Sequence, residues 1–110
     1  MWLFTPWGFF SIVQKPGQAG LTIRARVAAD LDRLRQQYLP ELSPTQAHAG
    51  SDYPYRATAS HAEFGSALAR IAQDIHYSNF KNEVAEQMGY QREAVYARVW
   101  HTLTALEGEE

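Results

Sequence analysis

The chain has 110 residues, 45% of them hydrophobic, 13% aromatic and 20% charged, with a formal net charge of −2 and no cysteine. That much apolar content with so little net charge excludes a disordered chain, and the length suits a single domain with its own core. The missing cysteines exclude a disulfide scaffold, a cysteine zinc site and a thiol nucleophile.

The opening MWLFTPWGFFSIV is the most apolar stretch. No basic region precedes it, Pro6 and Gly8 interrupt it, and it is shorter than the roughly 20 residues needed to span a bilayer. It is expected to be folded structure beginning almost at Met1. With no membrane segment, no signal and no cysteine, the expected location is the bacterial cytoplasm. Residues 1–29 hold Lys15, Arg24 and Arg26 but no acid, whereas the end carries Glu107, Glu109 and Glu110.

Residues 9–14, FFSIVQ, are aromatic and β-branched and predict a strand. Lys15-Pro16-Gly17 supplies turn chemistry. Residues 21–27, LTIRARV, alternate: Leu21, Ile23, Ala25 and Val27 share one face, Thr22, Arg24 and Arg26 the other. These two strands form a hairpin. Leu31, Leu34 and Tyr38 then fall at helical spacing, with Asp30 and Asp32 in the first turn and Arg33 and Arg35 later. The helix is predicted over 28–38, ending before Pro40. Residues 40–52 read as a mobile loop.

A third strand is expected over 53–59, with Tyr53, Tyr55, Ala57 and Ala59 on one face and Arg56 and Thr58 on the other. Pro54 marks an edge or an end. Ser60 and Glu63 form a capping box for a helix over 61–75 carrying Phe64, Leu68, Ile71 and Ile75. Two more helices follow. One covers 79–88, with Phe80, Val84 and Met88, and stops at Gly89. The other covers 91–106, with Val95, Val99, Leu103 and Leu106 on one side and Tyr96 and Trp100 beside them. The acidic tail 107–110 is expected to fray.

The fold class is therefore α+β: one domain over 1–110, with a small three-stranded, mainly antiparallel sheet and about four helices mostly on one face. The second strand, first helix and third strand also allow a right-handed crossover with parallel pairing. Either way, Arg24, Arg26 and Arg56 should project from neighbouring strands on one open face.

Planar guanidiniums on rigid strands bind phosphate or carboxylate in bidentate fashion. The ordinary alternative is a solvated face whose arginines pair with helix acids. Trp2, Phe4, Trp7, Phe9 and Phe10 crowd the same end. Aromatics beside arginine on a sheet can stack on bases, or simply fill core and interface. In the segment 75–82, Tyr77, Asn79 and Lys81 sit in a turn before a helix, which suits either an anion site or a plain cap. His48, His61, His76 and His101 show no ligand spacing, so no metal and no cofactor are expected. Neither a GxSxG elbow nor a phosphate loop is present, and no catalytic residue is assigned.

The opening MWLFTPWGFFSIVQKPG, the central YPYR, the piece YSNFKNEV and the later VYARVW together resemble a small family of uncharacterised single-domain bacterial proteins, a domain of unknown function. The resemblance spans the chain and implies a standalone domain. It supplies no activity, cofactor or catalytic residue.

Three functions follow from these residues. The favoured one is a small non-enzymatic binding or protein-interaction module acting through the sheet face, as a homodimer or other homo-oligomer, with Arg24, Arg26, Arg56, Trp7, Tyr77, Asn79 and Lys81 as binding residues. The second is a nucleic-acid-binding domain, which the acidic net charge disfavours. The third is a small enzyme on an anionic substrate, using Tyr77, Lys81, His76 or His61 with an arginine clamp.

Overall fold

A computed structural model describes residues 1–109. The protein is α+β, with four α-helices and one antiparallel sheet of five strands rather than three. The strands are β1 (Trp2–Thr5), β2 (Gly8–Val13), β3 (Leu21–Ala25), β4 (Gln46–Ala47) and β5 (Tyr55–Ala59), in the order β1-β2-β3-β5-β4. The helices are α1 (Ala28–Gln37), α2 (His61–Gln73), α3 (Phe80–Met88) and α4 (Tyr90–Leu103). A 3-10 segment, Thr104–Gly108, takes in the start of the acidic tail, and Glu110 lies outside the described residues. The chain divides into two compact units, the first running Met1–His76 and the second from Tyr77 onward.

Two strands went unread in the sequence. Pro6 and Gly8 do not interrupt an apolar run; they belong to a tight hairpin turn. Thr5 pairs with Gly8, the Thr5 hydroxyl donates to the Gly8 carbonyl (2.9 Å), and the Trp7 N–H donates to that hydroxyl (3.1 Å). Strand β4 has two residues, too few to show a period. The parallel crossover is corrected as well. β3 and β5 pair antiparallel, from Leu21↔Ala59 to Ala25↔Tyr55, so α1 and the loop after it return the chain in the opposite direction.

The core of the first unit lies between the sheet and the helices α1 and α2. Phe10, Ile12, Ile23, Ala25, Ala57 and Ala59 from the strands meet Leu31 and Leu34 of α1 and Phe64, Ala67 and Ile71 of α2. Each large side chain buried here contributes about 1.5–3 kcal/mol. Ser60 and Glu63 form the expected capping box at α2 (2.8 and 3.0 Å). Tyr38 joins the two helices: its hydroxyl donates to Asp74 (2.7 Å) and its carbonyl accepts from Arg70.

Strand β3 ends earlier than its alternation suggests. Val27 sits at the N-cap of α1 and is 42% exposed, so it does not face the helices. Loop 40–52 is tied down over its first half. Arg35 donates to the carbonyls of Leu42 and Ser43 and to the Thr45 hydroxyl, and Ser43 exchanges hydrogen bonds with Thr58 on the edge of β5. One long cation thus satisfies backbone groups that the composition alone assigned to solvent.

The second unit pairs α3 with α4. Val84 is buried, and Phe80 stacks on Tyr96 at 5.9 Å with the rings nearly parallel. Tyr96 is the buried residue of α4, whereas Val95, Leu103 and Leu106, expected as its inward stripe, are exposed.

Asp30 couples the first helix to the first hairpin. It is 1% exposed; its carboxylate accepts from the Phe9 N–H (3.0 Å) and pairs with Arg33 (2.6 Å), and Arg33 donates to the Trp7 carbonyl (2.8 Å). Gly8 makes this approach possible. A Cβ there would lie 2.7 Å from the Phe10 ring and 3.0 Å from Asp30 Cβ. Asp30→Ala leaves the part-buried Phe9 N–H without its acceptor and the half-buried Arg33 guanidinium without its counter-charge. It should cost about 2–4 kcal/mol and lower Tm by roughly 10–20 °C. Gly8→Ala should cost about 1–3 kcal/mol by overpacking. Thermal and urea melts measure both, and wild-type stability in Asp30→Ala would remove this contact from the central place given to it.

Candidate functional site: the open face of the sheet

Strand alternation puts a different set of side chains on the face opposite α1 and α2. One cross-strand row reads Trp2, Ser11, Arg24, Arg56, Gln46 from edge to edge. Thr22 and Thr58 form the next row over β3 and β5, and Phe4 and Phe9 pair at the β1–β2 end. No strand carries an aspartate or glutamate.

Arg24 and Arg56 are direct register partners. Like charges placed opposite each other are destabilising, and no described acid forms an ion pair with either of them or with Arg26. The arginines are held by neutral groups instead. Arg24 donates to the Ser11 hydroxyl (2.6 Å), while its Nε is buried without an acceptor. Arg56 donates to the Ser51 hydroxyl (2.8 Å) and the Tyr53 carbonyl (3.3 Å).

Tyr53 organises the group. The alternation placed it in the strand on one face with Tyr55, but Pro54 ends the bend that precedes β5, and the strand starts at Tyr55. Tyr53 is 4% exposed, and its ring centroid lies 4.6 Å from the Arg24 guanidinium and 4.8 Å from that of Arg26. Two cation–π contacts thus fix two arginines without neutralising them.

Aromatic residues occupy the other end of this face. Phe4 and Phe9 stack at 4.4 Å, and Trp2, 65% exposed, lies edge-on to Phe9 at 5.9 Å. Trp7 is not among them. It packs against the core, with its ring 5.3 Å from Tyr38. Alternation could have assigned Trp2 and Phe4 to the arginine face had β1 been read as a strand.

Beside Arg56 the face sinks into a hollow of about 420 Å³, lined among others by Lys15, Thr22, Ser43, His48 and Thr58. Lys15 and His48 escaped the sequence reading because they lie in turns distant along the chain. The strand order β2-β3-β5-β4 brings the turns that carry them to one place.

The remaining candidates belong to the second unit. Asn79 caps α3, its side-chain oxygen accepting from the Asn82 N–H (2.9 Å). Lys81 lies over the Trp100 ring at 4.9 Å. The Tyr77 ring is 6.3 Å from Phe80. Asn79 thus serves as a cap, and Tyr77 and Lys81 each pack against an aromatic ring of the same unit.

Among the described residues no group of three or more histidines, aspartates or glutamates is placed to hold a metal ion. No described helix is long and apolar enough to cross a membrane. No family model, curated protein or solved structure matches the chain.

Burial raises the Tyr77 phenol above its ordinary value of 10.0, and the Glu83 carboxylate adds to the shift. The folded state therefore holds this proton more tightly than the unfolded state does. Stability should be insensitive to this group below the ordinary tyrosine value and should fall as pH rises between that value and the raised one. Tyr77→Phe should remove that part of the alkaline loss, and Glu83→Gln should remove a smaller part. Denaturant melts across alkaline pH measure both, and an unchanged alkaline slope in Tyr77→Phe would contradict the assignment.

Proposed function

We propose that the protein is a non-enzymatic binding module whose open sheet face docks an acidic segment of a partner protein. One observation carries this reading: Arg24, Arg26 and Arg56 converge on a single face, pinned by Tyr53, Ser11 and Ser51, with no acid to neutralise them. Guanidiniums already oriented by neutral contacts lose little freedom on meeting a carboxylate, which favours bidentate recognition. Two copies joined symmetrically through this face would gather six arginines and no strand acid, so an acidic partner fits better than a second copy.

A second reading, single-stranded nucleic acid, draws on Trp2, Phe4 and Phe9, which occupy the same face as the arginines. Trp2 is exposed, and an exposed ring on the same face as cations suits base stacking.

The test is a titration at low salt with a polyglutamate peptide and, separately, with oligothymidylate, followed by backbone amide shifts and tryptophan fluorescence. The acidic peptide should shift amides of β3 and β5. Arg24→Gln with Arg26→Gln should weaken binding about tenfold or more, at the level expected for lost charge-assisted hydrogen bonds. Tighter binding of the oligonucleotide, with quenching that Trp2→Ala abolishes and a log–log salt slope near −2, would select the second reading. No shift on this face with either polyanion would overturn both.

A further inference from the structure

We propose that the hollow beside Arg56 is a binding site for a phosphate monoester carried by a small polar molecule. It extends the reading above, sharing Arg56 with the open face but drawing its other charges from residues the docking surface does not use.

The hollow brings together three basic side chains from three separate segments: Lys15 after β2, His48 after β4 and Arg56 in β5. No acid lines it. Arg56 is held in place from one side, since its Nε and one terminal nitrogen donate to the Tyr53 carbonyl and the Ser51 hydroxyl. Its other terminal nitrogen keeps its N–H groups for a ligand. The backbone at His48 is fixed by hydrogen bonds to Pro54 (2.7 Å) and Ser51 (3.2 Å), so the imidazole is carried on an anchored segment. Neither the Lys15 ammonium nor the His48 imidazole has a hydrogen bond or an ion pair within the described protein, and the Thr58 hydroxyl is likewise unengaged.

The charge arithmetic favours a dianion. An ammonium and a guanidinium around one hollow repel each other until an anion enters, and the imidazole adds a further N–H donor. A phosphate monoester carries nearly two negative charges and three acceptor oxygens, which matches this donor set better than a single carboxylate does. A hollow of about 420 Å³ falls in the size range of small-molecule sites and is much larger than phosphate alone requires. The surplus leaves room for an attached polar group. The adjoining hollow is lined by Glu41 and Glu63, whose charges keep the phosphate at the Arg56 end.

The test is a calorimetric and amide-shift titration of the full chain with ribose 5-phosphate, inorganic phosphate and ribose. Ribose 5-phosphate should bind saturably, shift the amides around Lys15, His48, Arg56 and Thr58, and bind tighter than phosphate, while ribose should not bind. Lys15→Met and His48→Gln should each weaken it about tenfold without altering thermal stability, because neither side chain has a protein partner to lose. Lys15→Met with His48→Gln, neither of which belongs to the docking face, should leave polyglutamate affinity within about twofold, so the two readings fail separately. The site would be overturned by absence of saturable binding, by shifts centred on Arg24 and Arg26 instead, or by wild-type affinity in both Lys15→Met and His48→Gln. Equal affinity for inorganic phosphate and ribose 5-phosphate would overturn the assignment to an ester.

Discussion

The buried carboxylate of Asp30 sets the geometry of the first unit. A charge taken out of water must be surrounded by donors, and here they come from β2 and from the same helix: the Phe9 N–H and Arg33. Because Arg33 also reaches the Trp7 carbonyl, the start of α1 is fixed against the turn that joins β1 to β2. The helix can approach so closely only over a residue without a side chain, which is Gly8. Once α1 is anchored there, Leu31 and Leu34 fall onto Phe10 and Ile23, and one side of the sheet is committed to the core.

The other side inherits everything that alternation excludes from the core. Period-2 geometry assigns Arg24, Arg56, Thr22, Thr58 and Ser11 there together, along with Trp2, Phe4 and Phe9. Charge on this face is arranged rather than cancelled. The acids that the helices offer are used locally, Asp30 on Arg33 and Asp32 on Arg35, both three residues apart on α1. The strand arginines are left with hydroxyls, a carbonyl and an aromatic ring. Such contacts orient a cation while leaving its charge available, and that is the property a recognition surface needs.

Much of this was legible in the sequence where the signal was local and periodic. The alternation in LTIRA, the capping box at Ser60 and Glu63, the left-handed stop at Gly89 and the Leu31–Leu34 stripe each depend on near neighbours, and each is found. What escaped depends on distant partners. β1 is a strand because β2 lies beside it. Tyr53 precedes β5 instead of joining it, and its buried ring contacts Arg24 of β3 and Arg26 just after that strand. The loop after α1 is ordered by Arg35, a residue that looks like any exposed helix cation. The hollow is the extreme case, since Lys15 and His48 meet Arg56 only when β3 and the edge segment have both paired with β5.

The two rims of the sheet are unlike. Beyond β5, the sheet is finished by a two-residue strand with Pro44 just ahead of it, a short and donor-poor margin on which a further strand gains little. At the opposite rim, β1 pairs only with β2, and its outer backbone groups meet no other strand of the described chain. The β4 margin therefore closes the sheet against growth on that side, and stacking of copies into an open-ended fibre, which needs two receptive rims, has no second rim to use.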